Sequence, residues 1–345
     1  MPWRPDRVAL LGALLACAAM CGIALAAPPP REAALDRTIA YLQRAQNEDG
    51  GFGADAGGES DPMVTAWAAY ALAAAGVNPH DQARPGGRDA FSYLAAHTGE
   101  LTYTTDWERV LLVANVAGAS PRDFGGIDLV AKVLERQLPD GSFTHEAGGR
   151  SGAVNDTAFA VLALSQVRDE VTAAAVRRAV EWLLGAQRED GGWGVGQGSS
   201  DITGAVIQAL VAGGRPGTDA QARGFEYLRT LQADNGGFAF GTPGEEPNVA
   251  STAWVVQAMW AAGIDPGSWR KLAGDPLDYL ESLQQPDGSI VWSATKDTAR
   301  AWMTAYVAPA FAGHALPIPP VPRSVTPTAT PTGTPDAGAT AGGGG

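Results

Sequence analysis

Six small acidic or polar residues recur along the chain, each just ahead of an apolar stretch: Asp61, Asp106, Asp156, Asp201, Asn248 and Asp297. Standing alone, such residues cap helices, because their side-chain oxygens accept the free backbone N–H groups of a first turn. Asp61-Pro62 even puts proline where a first turn tolerates it. Gathered at one place, the same carboxylates could bind a cation or a polar ligand edge, donate a proton, or stabilise a carbocation. Metal chemistry has little to work with. His80, His97, His145 and His314 lack ligand spacing, and His145-Glu146 near Asn155-Asp156 is the one grouping a metal would favour. No metal or cofactor is expected.

The elements that would carry these residues repeat. "AQNEDGGFG" at 45–53 returns as "AQREDGGWG" at 186–194 and "LQADNGGFAFG" at 231–241, with weaker copies "QLPDGSF" at 137–143 and "LQQPDGSIVW" at 283–292. The long gap between the first copy and the copy at 137–143 has room for a degenerate unit, "FSYLAAHTGELTY" at 91–103, making six units over 32–313. Before each phrase runs an amphipathic stretch, such as Leu35, Ile39, Leu42 and Gln46 at helical spacing. The phrase's glycines suit a helix end and a tight turn. After it comes a stretch apolar nearly all round: "TAWAAYALAAAG" from Thr65, "TAFAVLAL" from Thr157, "TGAVIQALVAGG" from Thr203, "TAWVVQAMWAAG" from Thr252. A helix apolar on every side is buried on every side. Two layers are therefore predicted, with buried helices inside and amphipathic helices outside.

The stretch from Arg178 through Trp182 and Gln187 to Gly191 and Trp193 resembles the QW motif of the squalene-cyclase and prenyltransferase repeat family. The match is nearly as good at 37–52 and 223–238, partial at 276–290 and poor in the second and third units. The resemblance covers some 280 residues. It implies an all-α fold, an α6/α6 toroid of six helix pairs around a central cavity. It also implies that Gln187 and Trp193 are architectural and that function sits in the cavity.

Aligned on a Thr-Ala step, the inner helices offer Trp67, Phe159, Ala205, Trp254 and Arg300, with Arg109 from the weak second unit. Three residues later come Tyr70, Leu112, Leu162, Gln208, Gln257 and Met303. An apolar, aromatic lining with a few polar groups suits a greasy or flat ligand. Trp67, Tyr70, Phe159 and Trp254 would supply stacking surface, Arg109 and Arg300 would pair an anionic group, and Gln208, Gln257 and the rim of Asp61, Asp106, Asp156, Asp201 and Asp297 would hold polar edges. Plain packing between layers is the alternative for the ring, and simple capping for the aspartates.

The family's catalytic sets are missing. There is no Asp-x-Asp-Asp acid, and both cysteines, Cys17 and Cys21, precede residue 27, which removes a cysteine-containing zinc site and any thioester. The expected function is a toroid that binds a hydrophobic or amphipathic small molecule without transforming it, whether an isoprenoid, another lipid or a corrinoid. The alternative is a divergent terpene-cyclase or prenyl-transfer enzyme with Asp156 or Asp297 as its acid; a third reading is a surface interaction module with a filled centre.

The ends differ from the middle. Residues 8–27 carry no charge and finish in a small-x-small site, which reads as a secretory signal over 1–26, with a membrane anchor or a lipoprotein signal at Cys17 as alternatives. Residues 315–345 are rich in Pro, Thr, Ala and Gly and read as an extended stalk. The product expected is secreted or held at the cell surface. A net charge of −13 argues against nucleic acid as a partner.

Overall fold

A computed structural model describes residues 31–324. The signal, the possible anchor or lipid site, and most of the stalk therefore lie outside the described residues. Within them, twelve α-helices alternate between two layers. The outer layer holds α1 (Glu32–Ala45), α3 (Ala90–Ala96), α5 (Leu129–Leu134), α7 (Glu170–Gly185), α9 (Asp219–Leu231) and α11 (Pro276–Ser282). The inner layer holds α2 (Pro62–Ala74), α4 (Thr104–Val116), α6 (Val154–Leu164), α8 (Ser200–Ala212), α10 (Val249–Ala261) and α12 (Arg300–Phe311). Each inner helix packs on the next, and α12 packs back on α2, so the inner layer closes into a ring. The six units fall where the repeats place them, including the degenerate second one.

Five of the six outer helices, all but α1, start on side-chain caps. Asp89, Asp128, Asp169, Thr218 and Asp275 each accept the N–H three residues on. The inner helices are buried along most of their length; in α2, for instance, every residue from Val64 to Ala74 is buried. At Gly204 the backbone of α10 comes so close that a Cβ would lie 2.7 Å from the Trp254 carbonyl oxygen.

The repeated phrase is the clasp between units. Its glutamine donates both to its own turn and to a carbonyl of the next unit: Gln187 Nε2 lies 2.7 Å from the Gly191 oxygen and 2.7 Å from the Ala220 oxygen. Gln46, Gln137, Gln232 and Gln284 do the same. An arginine of the next outer helix then donates to the glutamine Oε1, as Arg178 does to Gln137 and Arg223 to Gln187. The residue that ends the phrase is tied inward. The N–H groups of Phe52, Phe143, Trp193, Phe238 and Ile290 donate to Thr65, Thr157, Thr203, Thr252 and Thr304 at 2.8–2.9 Å. The sixth clasp grips the first helix: Gln284 donates to the Ala34 oxygen and to Thr38, and Arg37 donates back to Gln284 at 2.8 Å.

Two expectations change. The inner-helix register of the sixth unit is Thr304-Ala305-Tyr306, because Thr304 makes the bond that Thr65, Thr157, Thr203 and Thr252 make; the earlier Thr298-Ala299 step lies just outside α12. And residues 315–324 are not stalk. They lie across the end of the ring formed by the C-terminal ends of the inner helices, with Leu316 and Ile318 buried.

Candidate functional site

With the register corrected, the ring at mid-height is Trp67, Arg109, Phe159, Ala205, Trp254 and Tyr306. Trp67, Phe159 and Trp254 do meet, as expected, and Tyr306 joins them. Their rings contact edge to face, with centroids 5.2 Å apart for Trp67–Tyr306, 5.5 Å for Phe159–Trp254 and 5.6 Å for Trp67–Trp254. Edge-to-face packing lets the positive edge of one ring meet the negative face of the next. The rings fill the centre instead of lining an open chamber. Beneath them a void bounded in part by Trp67, Trp254, Tyr306 and Leu316 has a volume of about 10 Å³, enough for one water at most.

The lower polar ring has partners already. Tyr70 and Gln208 accept the backbone N–H groups of Ile318 and Leu316, so they hold the chain's own C-terminal segment. Gln257 donates to the Tyr306 carbonyl at 3.0 Å, and its Oε1 is buried without a partner.

The rim of aspartates separates into three kinds. Asp61 is an exposed N-cap accepting the Val64 N–H, as Asn248 caps α10 through the Ser251 N–H. Asp297 is exposed and bound to Arg300 at 2.5 and 2.7 Å, which holds its carboxyl below the usual range. Arg300, ion-paired there and 3.9 Å from Asp287, stays outside the ring; as the first residue of α12 it stands more than one and a half turns above Tyr306. Neither Asp297 as an acid nor Arg300 as a cavity cation survives this arrangement. Asp106, Asp156 and Asp201 sit instead within the first turns of α4, α6 and α8.

Around α4 and α6 the charged groups converge. Arg109 is 3.1 Å from Asp106 and 5.9 Å from the Trp67 ring centroid, and its Nε is buried without a partner. Asp156, only 2 % exposed, accepts from His145 Nδ1 at 3.0 Å, and His145 stacks on Tyr103. Burial raises the Asp156 carboxyl above its ordinary value, against the pull of His145. Asp201 is likewise raised by burial, against the Ile202 N–H that it accepts at 2.9 Å. Burial holds the Tyr306 phenol up at about 12, with Arg109 opposing.

The residue that the sequence reading passed over is Glu108. It is fully buried, and neither carboxyl oxygen has a hydrogen-bond partner among the described residues. Burial first, then the neighbouring Asp156 charge, push its carboxyl well above the ordinary range. The signal was in "TTDWERV": Asp106-x-Glu108 keeps the carboxyl-x-carboxyl spacing of the acid sought as Asp-x-Asp-Asp, with glutamate in place of the central aspartate. Unpaired buried polar atoms gather in the same part of the ring, at Trp67 Nε1, Glu108 and Arg109 Nε. Among the described residues no group of three or more His, Cys, Asp or Glu could hold a metal ion, and no helix is long and apolar enough to cross a membrane.

Residues 13–104 and 214–314 match the prenyltransferase alpha-alpha toroid domain, more than half of the chain. This chain belongs to the prenyltransferase α/α-toroid family. Residues 109–238 also match the squalene-hopene cyclase C-terminal domain. A copalyl diphosphate synthase of Streptomyces cyslabdanicus is 30% identical over 158 residues, which span 44% of this chain but 29% of that protein. The fold is that of the type II terpene cyclase MstE from Scytonema, at 15% identity and a TM-score of 0.58 over 82% of this chain and 97% of the other. A protein from Actinoplanes is equally similar, at 18% identity and a TM-score of 0.60 over 82% of this chain and 99% of the other.

Proposed function

We propose that this toroid is a terpene-cyclase-like enzyme that starts its reaction by protonating an isoprenoid alkene, with Glu108 as the proton donor. The observation that carries the reading is the carboxyl of Glu108, buried, unpartnered and raised in pKa beside a second raised carboxyl, Asp156. A buried carboxyl without a partner costs stability, and groups perturbed in this way concentrate where chemistry needs them. In the step proposed, the Glu108 O–H bond breaks and a C–H bond forms on the alkene. The substrate becomes a carbocation and Glu108 a carboxylate. Arg109 steadies that carboxylate, and the faces of Trp67, Phe159 and Tyr306 attract the cation. The cyclised cation loses a proton to water, which ends the reaction, and a proton from solvent passed back through the half-exposed His145 and Asp156 restores Glu108. The names of its relatives agree in substrate class: one is a copalyl diphosphate synthase, and a structure of MstE holds geranylgeranyl dihydroxybenzoate.

The test is incubation of the protein with squalene, farnesyl diphosphate and geranylgeranyl diphosphate in D₂O. A cyclic isomer of the substrate carrying one deuterium at the protonated carbon supports the reading, and Glu108→Gln should abolish it. Recovery of every substrate unchanged, with no deuterium, sinks it. The packed aromatic centre favours a second reading, a carrier that opens to hold an apolar or amphipathic guest without altering it. A guest that binds and is recovered intact from both wild type and Glu108→Gln would establish that reading instead. Export is part of the proposal: the uncharged run at 8–27 is read as a cleaved leader, and the N-terminal sequence of the mature protein checks it.

A further inference from the structure

The C-terminal segment is held as a ligand is held. Six backbone hydrogen bonds fix it to the ring and the adjoining loops, and five of them use toroid side chains. Gln208 Oε1 accepts the Leu316 N–H at 2.8 Å, Tyr70 accepts the Ile318 N–H, and Gln166 donates to the Ile318 oxygen at 2.8 Å. Farther along, Asn78 donates to the Val321 oxygen at 2.6 Å and the Val116 carbonyl accepts the Val321 N–H at 2.8 Å. Leu316 and Ile318, two residues apart, are both buried, and Asp81 fastens the far end by accepting from Arg323 and from the Ser324 N–H. Side chains that bond to main chain, with pockets for alternate residues, are the means by which folded domains bind extended peptides. The segment has no regular secondary structure of its own, so these contacts define its path.

We propose that residues 315–324 are a detachable seal: the far end of the ring is a receptor for an extended apolar peptide, filled here by the chain itself, and release of that segment admits an apolar guest to the ring. The placement of the void supports this. Leu316 forms its floor and the aromatic cluster its roof, so the segment is the wall whose removal enlarges it without unwinding a helix. Tyr70 and Gln208 would then be freed to serve a guest's polar end. The seal rests on the reading that the ring takes an apolar molecule, but not on turnover.

The experiment uses the full chain with Ile318→Asp, which puts a charge into an apolar pocket. Hydrogen exchange of residues 314–324 reports release, and quenching of tryptophan fluorescence by farnesol reports guest binding. Expected is fast exchange in this segment alone, the ring helices staying protected, and farnesol binding about tenfold tighter, as follows when a closed state holding nine-tenths of the molecules is removed. A peptide of residues 315–324 added in trans should compete with farnesol. Asp81→Ala, which loosens the far anchor without touching either apolar pocket, should act in the same direction by a smaller factor. The idea is overturned if the released segment brings no gain in farnesol affinity. It is equally overturned if the ring helices lose protection together with the segment, since the segment would then be integral core. Because the readout is binding, a chain that never turns substrate over can still pass, and an active chain can still fail.

Discussion

Replacing Glu108 by Gln should make the protein more stable, and by an amount that depends on pH. The side chain is fully buried and its carboxyl is held well above its ordinary value of 4.5, chiefly by burial. In the unfolded chain the carboxyl titrates near 4.3. Below that pH both states carry the proton and titration contributes nothing to the difference. Above it the folded state retains a proton that the unfolded state releases, so stability falls as pH rises until the folded pKa is passed. The slope is about 1.4 kcal/mol per pH unit. Glutamine has nearly the same shape and no proton to lose, so the gap between variant and wild type should be small at pH 4 and widen by about 1.4 kcal/mol per pH unit until the folded pKa is passed. For a chain of this size that is a rise in melting temperature of roughly 2 °C per pH unit. Calorimetry of both proteins at pH 4, 5, 6 and 7 measures it. A gap that does not widen with pH would refute the burial argument, and with it the raised acid on which the proposed chemistry rests.

Removing the imidazole partner in His145→Ala should act on Asp156 in the same sense. The buried carboxyl loses the group that lowers it, so the loss of stability, about 1–3 kcal/mol, should be greater at pH 7 than at pH 4. Trp254→Ala opens a hole in the aromatic cluster and should cost about 3–5 kcal/mol, read from denaturant unfolding. Gly191→Ala places a Cβ 2.7 Å from the Arg223 carbonyl oxygen at a φ of +88° and should cost about 1–3 kcal/mol by the same measurement, although the turn is far from the proposed acid.

The fold was legible because its clasp is written into the chain five times. Gln187, Gly191 and Trp193 each answer a local demand of the joint between units, so the spacing survives where the helices between them vary. The site was half legible. Arg109 and Asp156 stood out as charges in apolar surroundings, and both reach the cluster. Glu108 did not, because the search asked for aspartates in a fixed motif, while the property that matters is burial beside another carboxyl. Tyr306 was missed through a duplicated Thr-Ala step. Only the bond from the Ile290 N–H to Thr304 tells the two apart, and it joins residues from opposite sides of a loop. Composition misled at 315–324. Proline-rich sequence lacks a face to bury by itself, but Leu316 and Ile318 find one because α12 delivers them to the open end of a ring.

The grip of the sixth clasp on the first helix bears on how the molecule comes into being and falls apart. Arg31 binds Asp278 at 2.6 Å and Glu281 at 2.9 Å, and Gln284 holds Ala34 and Thr38, so the first of the described helices is completed by partners some 250 residues later. Until those residues arrive, α1 lacks its neighbour on one side. Folding therefore includes a loop closure spanning nearly the whole domain, a slow event compared with helix pairing. Once shut, the ring has no terminal repeat from which to peel, because the first and last units share a seam. An open array sheds units one at a time from its ends, whereas this one must break that seam first, which lengthens its lifetime even where its equilibrium stability is ordinary.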